Sequence, residues 1–270
     1  MSGASTRTAV LLKRVDLRPR IDPLTGEASP DPHGGMSAAD RCALELALRT
    51  GEEVLAITAG PAAADEILRE ALAFGVTRAI RVDLSATASS EQVAGALAPL
   101  LLDHHRIWAG DHSLDRGSGS VPAFVAARLG LAQALGLAAV ELLPDGDLVG
   151  HRRLDRGVRE VLHIDRPAVL SVEAGVVAPR RPSLGAVLAA AAAVIQVHAA
   201  SVIAPVRGVV APYRPRARTL PGPDTTLSAR ERVLTLSGAL ERRDLPRVLR
   251  CDAESAADEL LAFLQSRGFR

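Results

Sequence analysis

Short apolar runs alternate with stretches of helical periodicity along the first half of the chain. Short apolar runs bounded by Gly or Pro are typical of buried strands, whereas apolar residues spaced three and four apart indicate helices. The predicted strands are residues 9–15, 54–58, 79–82 and 107–109, and the predicted helices are residues 37–50, 62–74, 89–102 and a segment ending at Gly130. Because each helix returns the chain in the same direction, we predict a doubly wound α/β fold with a mostly parallel sheet.

The pattern changes to a period of two after Gly130, which predicts a small antiparallel extension of the fold. The segments with this alternation are residues 139–143, 148–153 and 158–164. Residues 168–173 form another buried strand, and a last helix is predicted at residues 255–266. Pro and Arg accumulate from residue 201, as in an extended arm. We therefore expect an α/β domain at residues 1–200 and a C-terminal arm with a terminal helix at residues 201–270.

Composition narrows the class of protein. The 270 residues are 48% hydrophobic but include one Trp, one Tyr and four Phe, so the core is built from Ala, Val and Leu. A net charge of +1 gives no reason to expect nucleic acid or an anionic membrane as a partner. Cys42 and Cys251 lack the spacing of a metal site, and no apolar run is long enough to span a membrane. We expect a cytoplasmic protein without stable membrane insertion.

The candidate chemistry lies in residues 110–130, where an apolar strand runs into a loop of small residues and then into a helix. Gly117, Ser118, Gly119 and Ser120 offer backbone N–H groups to an anion, and the positive end of the helix dipole adds to this attraction. A phosphate site is one interpretation, and an ordinary strand-to-helix turn is the other. No nucleophile elbow, HExxH, Walker loop or carboxylate pair occurs, which argues against an independent hydrolase or kinase.

Seven segments, in the same order, resemble the beta subunit of electron transfer flavoproteins over about the first 200 residues. They are Leu12-Lys13-Arg14-Val15, residues 39–45 (ADRCALE), Gly60-Pro61, residues 69–80 (REALAFGVTRAI), the loop at residues 110–130, Asp155-Arg156-Gly157, and residues 179–184 (PRRPSL). The resemblance implies a fold like that of the adenine nucleotide alpha hydrolases.

The resemblance also implies a heterodimer, in which an alpha subunit binds most of the FAD and this chain has a nucleotide site of its own. In most family members that nucleotide is AMP, and in bifurcating members it is a second FAD; AMP, FAD and no nucleotide stay open here. The cofactor-binding positions implied by the family are Leu11, Lys13, Ser37, Ala38, Ala39, Asp40, Ala59, His112, Asp115, Gly117, Ser118, Gly119, Ser120, Val121 and Phe124.

Departures from the family pattern concern the same site and the partner surface. Ser37-Ala38 replaces Asn-Pro, and Ser120-Val121-Pro122 replaces a Gln-Val/Thr-Gly pattern, so that Pro122 removes an N–H donor. Leu184 matches the leucine with which the family contacts its client dehydrogenase. The basic run that normally follows it is replaced by five alanines at residues 189–193, which are alternatively a helix buried on the sheet.

The function implied by the resemblance is that of an electron carrier in bacteria. The heterodimer would take electrons from a dehydrogenase through FAD and pass them to a downstream acceptor, with the arm at residues 201–270 packed on the alpha subunit. Its divergent, Arg-rich sequence suggests a specialised redox system such as one built on mycofactocin. The alternative is an adenine-nucleotide sensor of the same fold that transfers no electrons. No catalytic side chain is expected in either case, because the redox chemistry belongs to the flavin.

Overall fold

A nine-stranded, mostly parallel sheet forms the centre of the protein in a computed structural model that describes residues 7–18, 20–25, 28–29, 34–49, 53–200, 222–238 and 248–267. The strands are β1 (Thr8–Leu11), β2 (Arg14–Val15), β3 (Arg20–Ile21), β4 (Ala28–Ser29), β5 (Gly35–Met36), β6 (Val54–Gly60), β7 (Arg78–Asp83), β8 (Arg106–Gly110), β9 (Ala132–Leu142), β10 (Leu148–Arg153), β11 (Arg159–Ile164), β12 (Ala168–Val172) and β13 (Gln196–Ala199). The helices are α1 (Ala38–Arg49), α2 (Asp65–Phe74), α3 (Ser90–Leu97), α4 (Ser120–Leu129), α5 (Leu184–Ala191), α6 (Ala229–Leu236) and α7 (Ala253–Ser266). The chain divides into two units, residues 1–208 and 209–270.

The strand order of the main sheet is β11-β10-β9-β12-β8-β1-β6-β7-β13. All neighbours from β9 to β13 are parallel, and β10 and β11 add an antiparallel edge. Two short antiparallel ladders, β2 with β5 and β3 with β4, lie outside this sheet. The arrangement confirms the predicted α/β class with a small antiparallel extension.

Helices cover both faces of the sheet, and alternate residues of each strand pack against one set or the other. Val10 of β1 belongs to the core cluster that contains Ile67 of α2, whereas its neighbour Leu11 belongs to the cluster with Leu97 of α3 and Val125 of α4. Every residue of β1 and of β12 is therefore buried, as central strands of doubly wound sheets are.

β9 joins the parallel and antiparallel parts of the sheet, and the sequence underestimates its length. The strand expected at residues 139–143 begins at Ala132, and its first half pairs in parallel with β12. Gly136 has a φ of +70° and donates its N–H to Ser171 Oγ (2.9 Å), at the point where the register with β12 shifts. Beyond this bulge the strand continues as the partner of β10.

Three further expectations need adjustment. The first strand, expected at residues 9–15, ends at Leu11, and Arg14–Val15 pairs separately with β5. The helix expected to reach residue 102 ends at Leu97 and continues as a 3-10 turn over Ala98–Leu100, which contains a proline.

The last helix begins at Ala253, two residues earlier than expected, because Asp252 rather than Ser255 caps it by accepting the Ser255 N–H (2.9 Å).

The second unit, residues 209–270, exposes its helices. No residue of α6 or α7 is buried, and Leu260, Leu261 and Phe263 are each more than half exposed. Residues 201–221 of the Pro- and Arg-rich arm lie outside the described residues. Among the helices that the structure describes, none combines the length and apolarity needed to cross a bilayer.

Candidate functional site

A cavity of about 290 Å³ opens at the carboxyl ends of β1, β6 and β8. β1 lies between the other two strands: β6 and β7 extend the sheet on one side of it, and the chain then returns with β8 on the other side. Open α/β sheets bind ligands at such a reversal, because the loops that follow the two strands diverge and leave a crevice. The topology thus places this cavity where the fold offers a binding site.

Asp40, in the first turn of α1, joins the ends of two strands beside the cavity. Its Oδ2 accepts the N–H of Lys13 after β1, and its Oδ1 accepts the N–H of Gly110 at the end of β8, each at 3.2 Å. Ser37 caps the same turn, since its Oγ accepts the Asp40 N–H (3.0 Å). A Cβ at Gly110 would lie 2.5 Å from Asp40 Oδ1, so this junction requires glycine.

The Asp40 carboxyl has an unusually high pKa because it is buried. Burial raises the pKa of Asp40 to about 7 and outweighs the hydrogen bonds from Lys13, Gly110 and Ser37, which lower it. The carboxyl is therefore partly protonated at neutral pH. Two carboxylate-to-amide contacts in a buried place make Asp40 a support of the cavity as well as part of its lining.

The loop between β8 and α4 is folded by its own hydrogen bonds. Ser113 accepts the N–H of Gly117 (2.8 Å) on its carbonyl oxygen and donates its own N–H to the carbonyl oxygen of Ser118 (3.1 Å). Gly117 has a φ of +60°, which favours glycine. Gly119 approaches the chain so closely that a Cβ there would lie 1.9 Å from the carbonyl oxygen of Asp111. The loop therefore depends on both glycines, for two different reasons.

Two backbone donors of this loop are left for a ligand. Gly119 is the N-terminal cap of α4 and makes no side-chain capping bond. Within the described part of the chain, no acceptor contacts the N–H of Ser118 or of Gly119, and both residues line the cavity. Such amides at the start of a helix are suited to an oxyanion.

Lys13 and Asp115 connect the loop to the end of β1. Lys13 Nζ lies 2.6 Å from Asp115 Oδ1 and 2.7 Å from Oδ2. Partial burial raises the pKa of Asp115, but the Lys13 ammonium outweighs it, and the net pKa is below the ordinary value of an aspartate. Both side chains are about 40% exposed, so the pair positions the loop more than it stabilises the fold.

The remaining walls come from the loop after β7 and from two helices. Val93 and Leu97 of α3 and Val121 and Pro122 of α4 supply an apolar side, and the loop at residues 85–88 supplies small residues. Arg116 holds this loop, since its guanidinium donates to the carbonyl oxygens of Ala88 (2.6 Å) and Ala86 (2.7 Å).

The structure brings ten of the fifteen predicted cofactor positions together in the cavity wall. These are Leu11, Lys13, Ser37, Asp40, Ala59, His112, Asp115, Ser118, Gly119 and Val121. The other five, which do not line it, are Ala38, Ala39, Gly117, Ser120 and Phe124. Ala38 is exposed, Ala39 is buried, and Ser120 Oγ shares a hydrogen bond with Ser118 Oγ (2.7 Å). Ligand contact by any of the fifteen stays a prediction.

Other lining residues escape the sequence analysis. Thr58, Ser85, Ala86 and Ala88 lie in no motif, and Arg116 lies in the loop at residues 110–130 but is not among the fifteen predicted positions. Gly60-Pro61, one of the seven segments that resemble the family, also lines the cavity.

The segment before Leu184 is fixed to α1 by buried polar groups. Glu45 Oε2 accepts the backbone N–H (3.1 Å) and the Nε–H (2.8 Å) of Arg180. Burial raises the pKa of Glu45, but the bonds from Arg180 and Arg49 outweigh it, and the net pKa is lowered. Cys42 Sγ contacts Val177 O and Gly175 N, each at 3.3 Å. Leu184 itself begins α5 with 75% of its surface exposed.

Residues 189–193 are only partly covered by the rest of the protein. They include the last residues of α5, but only Ala190 among them is buried. The alternative of a helix fully buried on the sheet is therefore wrong. Val187 and Leu188 of the same helix are also exposed, so α5 presents an apolar surface beside Leu184.

Sequence comparison agrees with this architecture. A family model described as the electron transfer flavoprotein domain matches residues 29–203, which is more than half of the chain. The chain belongs to the electron transfer flavoprotein family. Its resemblance to the beta subunit, expected from seven sequence segments, is confirmed by several curated relatives that carry that name.

Three relatives illustrate the extent of the similarity. The mitochondrial electron transfer flavoprotein subunit beta of Arabidopsis thaliana is 31% identical over 186 residues, 65% of this chain and 74% of the relative. The subunit beta of Mycobacterium tuberculosis is 36% identical over 142 residues, 51% of this chain and 53% of the relative. That of Methylophilus methylotrophus is 33% identical over 147 residues, 53% and 56% of the two chains. The chain thus spans about half the length of these two bacterial electron transfer flavoprotein subunits.

Proposed function

We propose that the chain is the beta subunit of a heterodimeric electron transfer flavoprotein, and that its cavity holds AMP while the alpha subunit holds most of the FAD. The observation that carries this proposal is the cavity at the carboxyl ends of β1, β6 and β8, lined by ten of the family's cofactor positions. Family membership supports the electron-transfer role, and the cavity supports a nucleotide in this chain.

The lining has the chemistry that an adenine nucleotide needs. The apolar side formed by Val93, Leu97 and Val121 suits the flat face of a purine. The amides of Ser118 and Gly119 suit phosphate oxygens. The residues present therefore fit the proposed group.

The size of the cavity favours AMP over a second FAD. The cavity volume of about 290 Å³ lies just below the range of about 300–1,000 Å³ for small-molecule pockets. FAD contains the whole of AMP and has more than twice as many non-hydrogen atoms. A mononucleotide matches the enclosed space, whereas the rest of FAD would extend out of it.

The residues of this chain hold and orient; they do not react. When bound by the heterodimer, FAD supplies the redox chemistry. Asp40 keeps the ends of β1 and β8 at a fixed separation, and the Lys13–Asp115 pair fixes the loop that offers the two amides. This chain thus contributes a preformed nucleotide site and a scaffold for the alpha subunit.

Exposed apolar helices support the proposed partners. Leu184, Val187 and Leu188 of α5 form the surface that we assign to a client dehydrogenase, and α7 carries the apolar residues that we assign to the alpha subunit. Apolar groups exposed in clusters on a single chain commonly mark protein interfaces. Cys42 and Cys251 are free thiols, which is consistent with the bacterial cytoplasm that we propose as the compartment.

Co-expression of the chain with a candidate alpha subunit tests the proposal. A yellow 1:1 complex that releases one FAD and one AMP on denaturation, identified by mass spectrometry, is the expected result. A colourless homodimer that binds AMP would contradict electron transfer and support the nucleotide sensor. A yellow complex with FAD but no AMP would contradict the nucleotide site and leave the interface role.

A further inference from the structure

Most charged groups that line the cavity are neutralised by one another. The Lys13 ammonium contacts both carboxylate oxygens of Asp115. Arg14 lies 3.3 Å from Asp16 Oδ1 and 3.4 Å from Glu66 Oε2. The charges of Lys13 and Arg14 are thus already compensated by carboxylates.

Arg116 differs from these two cations. Its Nη1 donates to the carbonyl oxygen of Ala88 and its Nη2 to that of Ala86, and neither acceptor carries a formal charge. Among the ion pairs of the described residues, none includes Arg116. Since an arginine keeps its proton in proteins, the cavity wall has one positive charge without a carboxylate partner.

The third carboxylate of the lining, that of Asp40, does not pair with Arg116. Both oxygens of Asp40 accept backbone amides, from Lys13 and Gly110. Burial also raises the pKa of Asp40 to about 7, which reduces its negative charge at neutral pH. Of the three cations in the lining, Arg116 is thus the one whose charge has no carboxylate partner, and a charge so placed favours an anionic ligand.

The position of Arg116 is fixed before any ligand binds. The two carbonyl contacts join the loop after β7 to the loop after β8, and both loops line the cavity. The unpaired amides of Ser118 and Gly119 follow two and three residues later. A guanidinium already held in place loses little side-chain entropy when an oxyanion approaches.

Building on the proposed nucleotide site, we infer that Arg116 supplies the positive charge that neutralises the phosphate of the bound nucleotide and so makes the cavity prefer AMP to adenosine. The expected ligand chemistry is a phosphate monoester on an adenine nucleoside. The alternative role for Arg116 is purely structural, as a tie between two loops.

Titration calorimetry with AMP and with adenosine separates these roles. The proteins are the full chain stripped of nucleotide and its Arg116→Gln, Arg116→Lys and Arg159→Gln variants; Arg159 is an exposed residue of β11 outside the cavity. Arg116→Gln keeps hydrogen-bond donors but not the charge. We expect it to lower the affinity for AMP about 10-fold to 100-fold, as the loss of a charge-assisted contact does, and to change adenosine binding less than about twofold.

The other variants complete the test. Arg116→Lys is expected to retain the preference for AMP, and Arg159→Gln is expected to bind both ligands as the unaltered chain does. Equal losses for AMP and adenosine in Arg116→Gln would show a structural tie and overturn the inference, as would an unchanged affinity for AMP. If the unaltered chain bound neither ligand, the proposed nucleotide site would fail as well, so the two failures are distinguishable.

Discussion

Replacing Gly119 by Ala tests the geometry of the loop between β8 and α4. The new Cβ would lie 1.9 Å from the carbonyl oxygen of Asp111 and 3.1 Å from its carbon, and both atoms belong to the backbone. A tolerable contact needs at least about 3.0 Å, so one strand of the loop must move by about 1.1 Å. Overpacking of this kind costs about 1–3 kcal/mol, which corresponds to a decrease in Tm of about 2–12 °C.

The displacement should also reach the ligand, because Gly119 and His112 line the same cavity. We expect Gly119→Ala to weaken AMP binding by at least about 10-fold, since a wall displaced by an ångström loses hydrogen-bond geometry. Thermal unfolding followed by circular dichroism measures the first effect, and titration calorimetry measures the second.

Gly117→Ala is the matched control in the same loop. Gly117 also has a conformation that favours glycine, with a φ of +60°, but a Cβ there would meet no atom within 4 Å. Its cost should be about 1 kcal/mol of backbone strain, with AMP affinity changed less than about threefold. A Gly119→Ala variant with unchanged Tm would refute the close approach to Asp111. A destabilised variant with unchanged AMP affinity would refute the link between this loop and the ligand.

Three other predictions address the supports of the site and the partner surface. Folding raises the pKa of Asp40 from 3.8 to about 7. The stabilisation by this carboxyl is therefore complete at low pH and is lost as the pH rises through 7, by about 4 kcal/mol at most. Urea unfolding of Asp40→Asn should show a correspondingly flatter pH profile than the unaltered chain, and parallel profiles would contradict the burial of this carboxyl. Glu45→Gln should cost about 1–3 kcal/mol and accelerate tryptic cleavage after Arg180, whose amide and guanidinium Glu45 holds; an unchanged cleavage rate would show that this contact does not order the segment. Leu184→Ala should leave Tm within about 1 °C of the unaltered chain, because the side chain is 75% exposed, and should slow flavin reduction by the client dehydrogenase; an unchanged rate would remove Leu184 from the docking surface.

The parts of the fold that the sequence predicts are those in which local pattern and tertiary environment agree. β1 and β8 are buried on both faces, so their apolar runs have no polar interruption. β13 has no such signal, since Gln196, Val197 and Ala199 are exposed on this edge strand. β9 is underestimated because Gly136 interrupts its alternation, and the parallel half owes its conformation to pairing with β12.

The candidate site follows the same division. The small residues from Gly117 to Ser120 predict the loop from the sequence, because the backbone conformation and close packing that require them are local. Asp40 contacts Gly110, 70 positions away, and Arg116 contacts Ala86, 30 positions away. Such contacts arise from the order of strands in the sheet, which no local pattern encodes. The role of Arg116 therefore becomes visible only in three dimensions.

Helix α1 supports both the proposed nucleotide site and the proposed docking surface. Its first turn carries Asp40, and its middle carries Cys42 and Glu45, which hold the segment leading to Leu184. A chimera that exchanges only residues 174–199 between relatives would leave the donor segment facing a foreign helix. To change the client dehydrogenase that this chain binds, α1 must therefore be transferred together with residues 174–199. Asp40 must be kept, because it contacts the strands of the recipient protein.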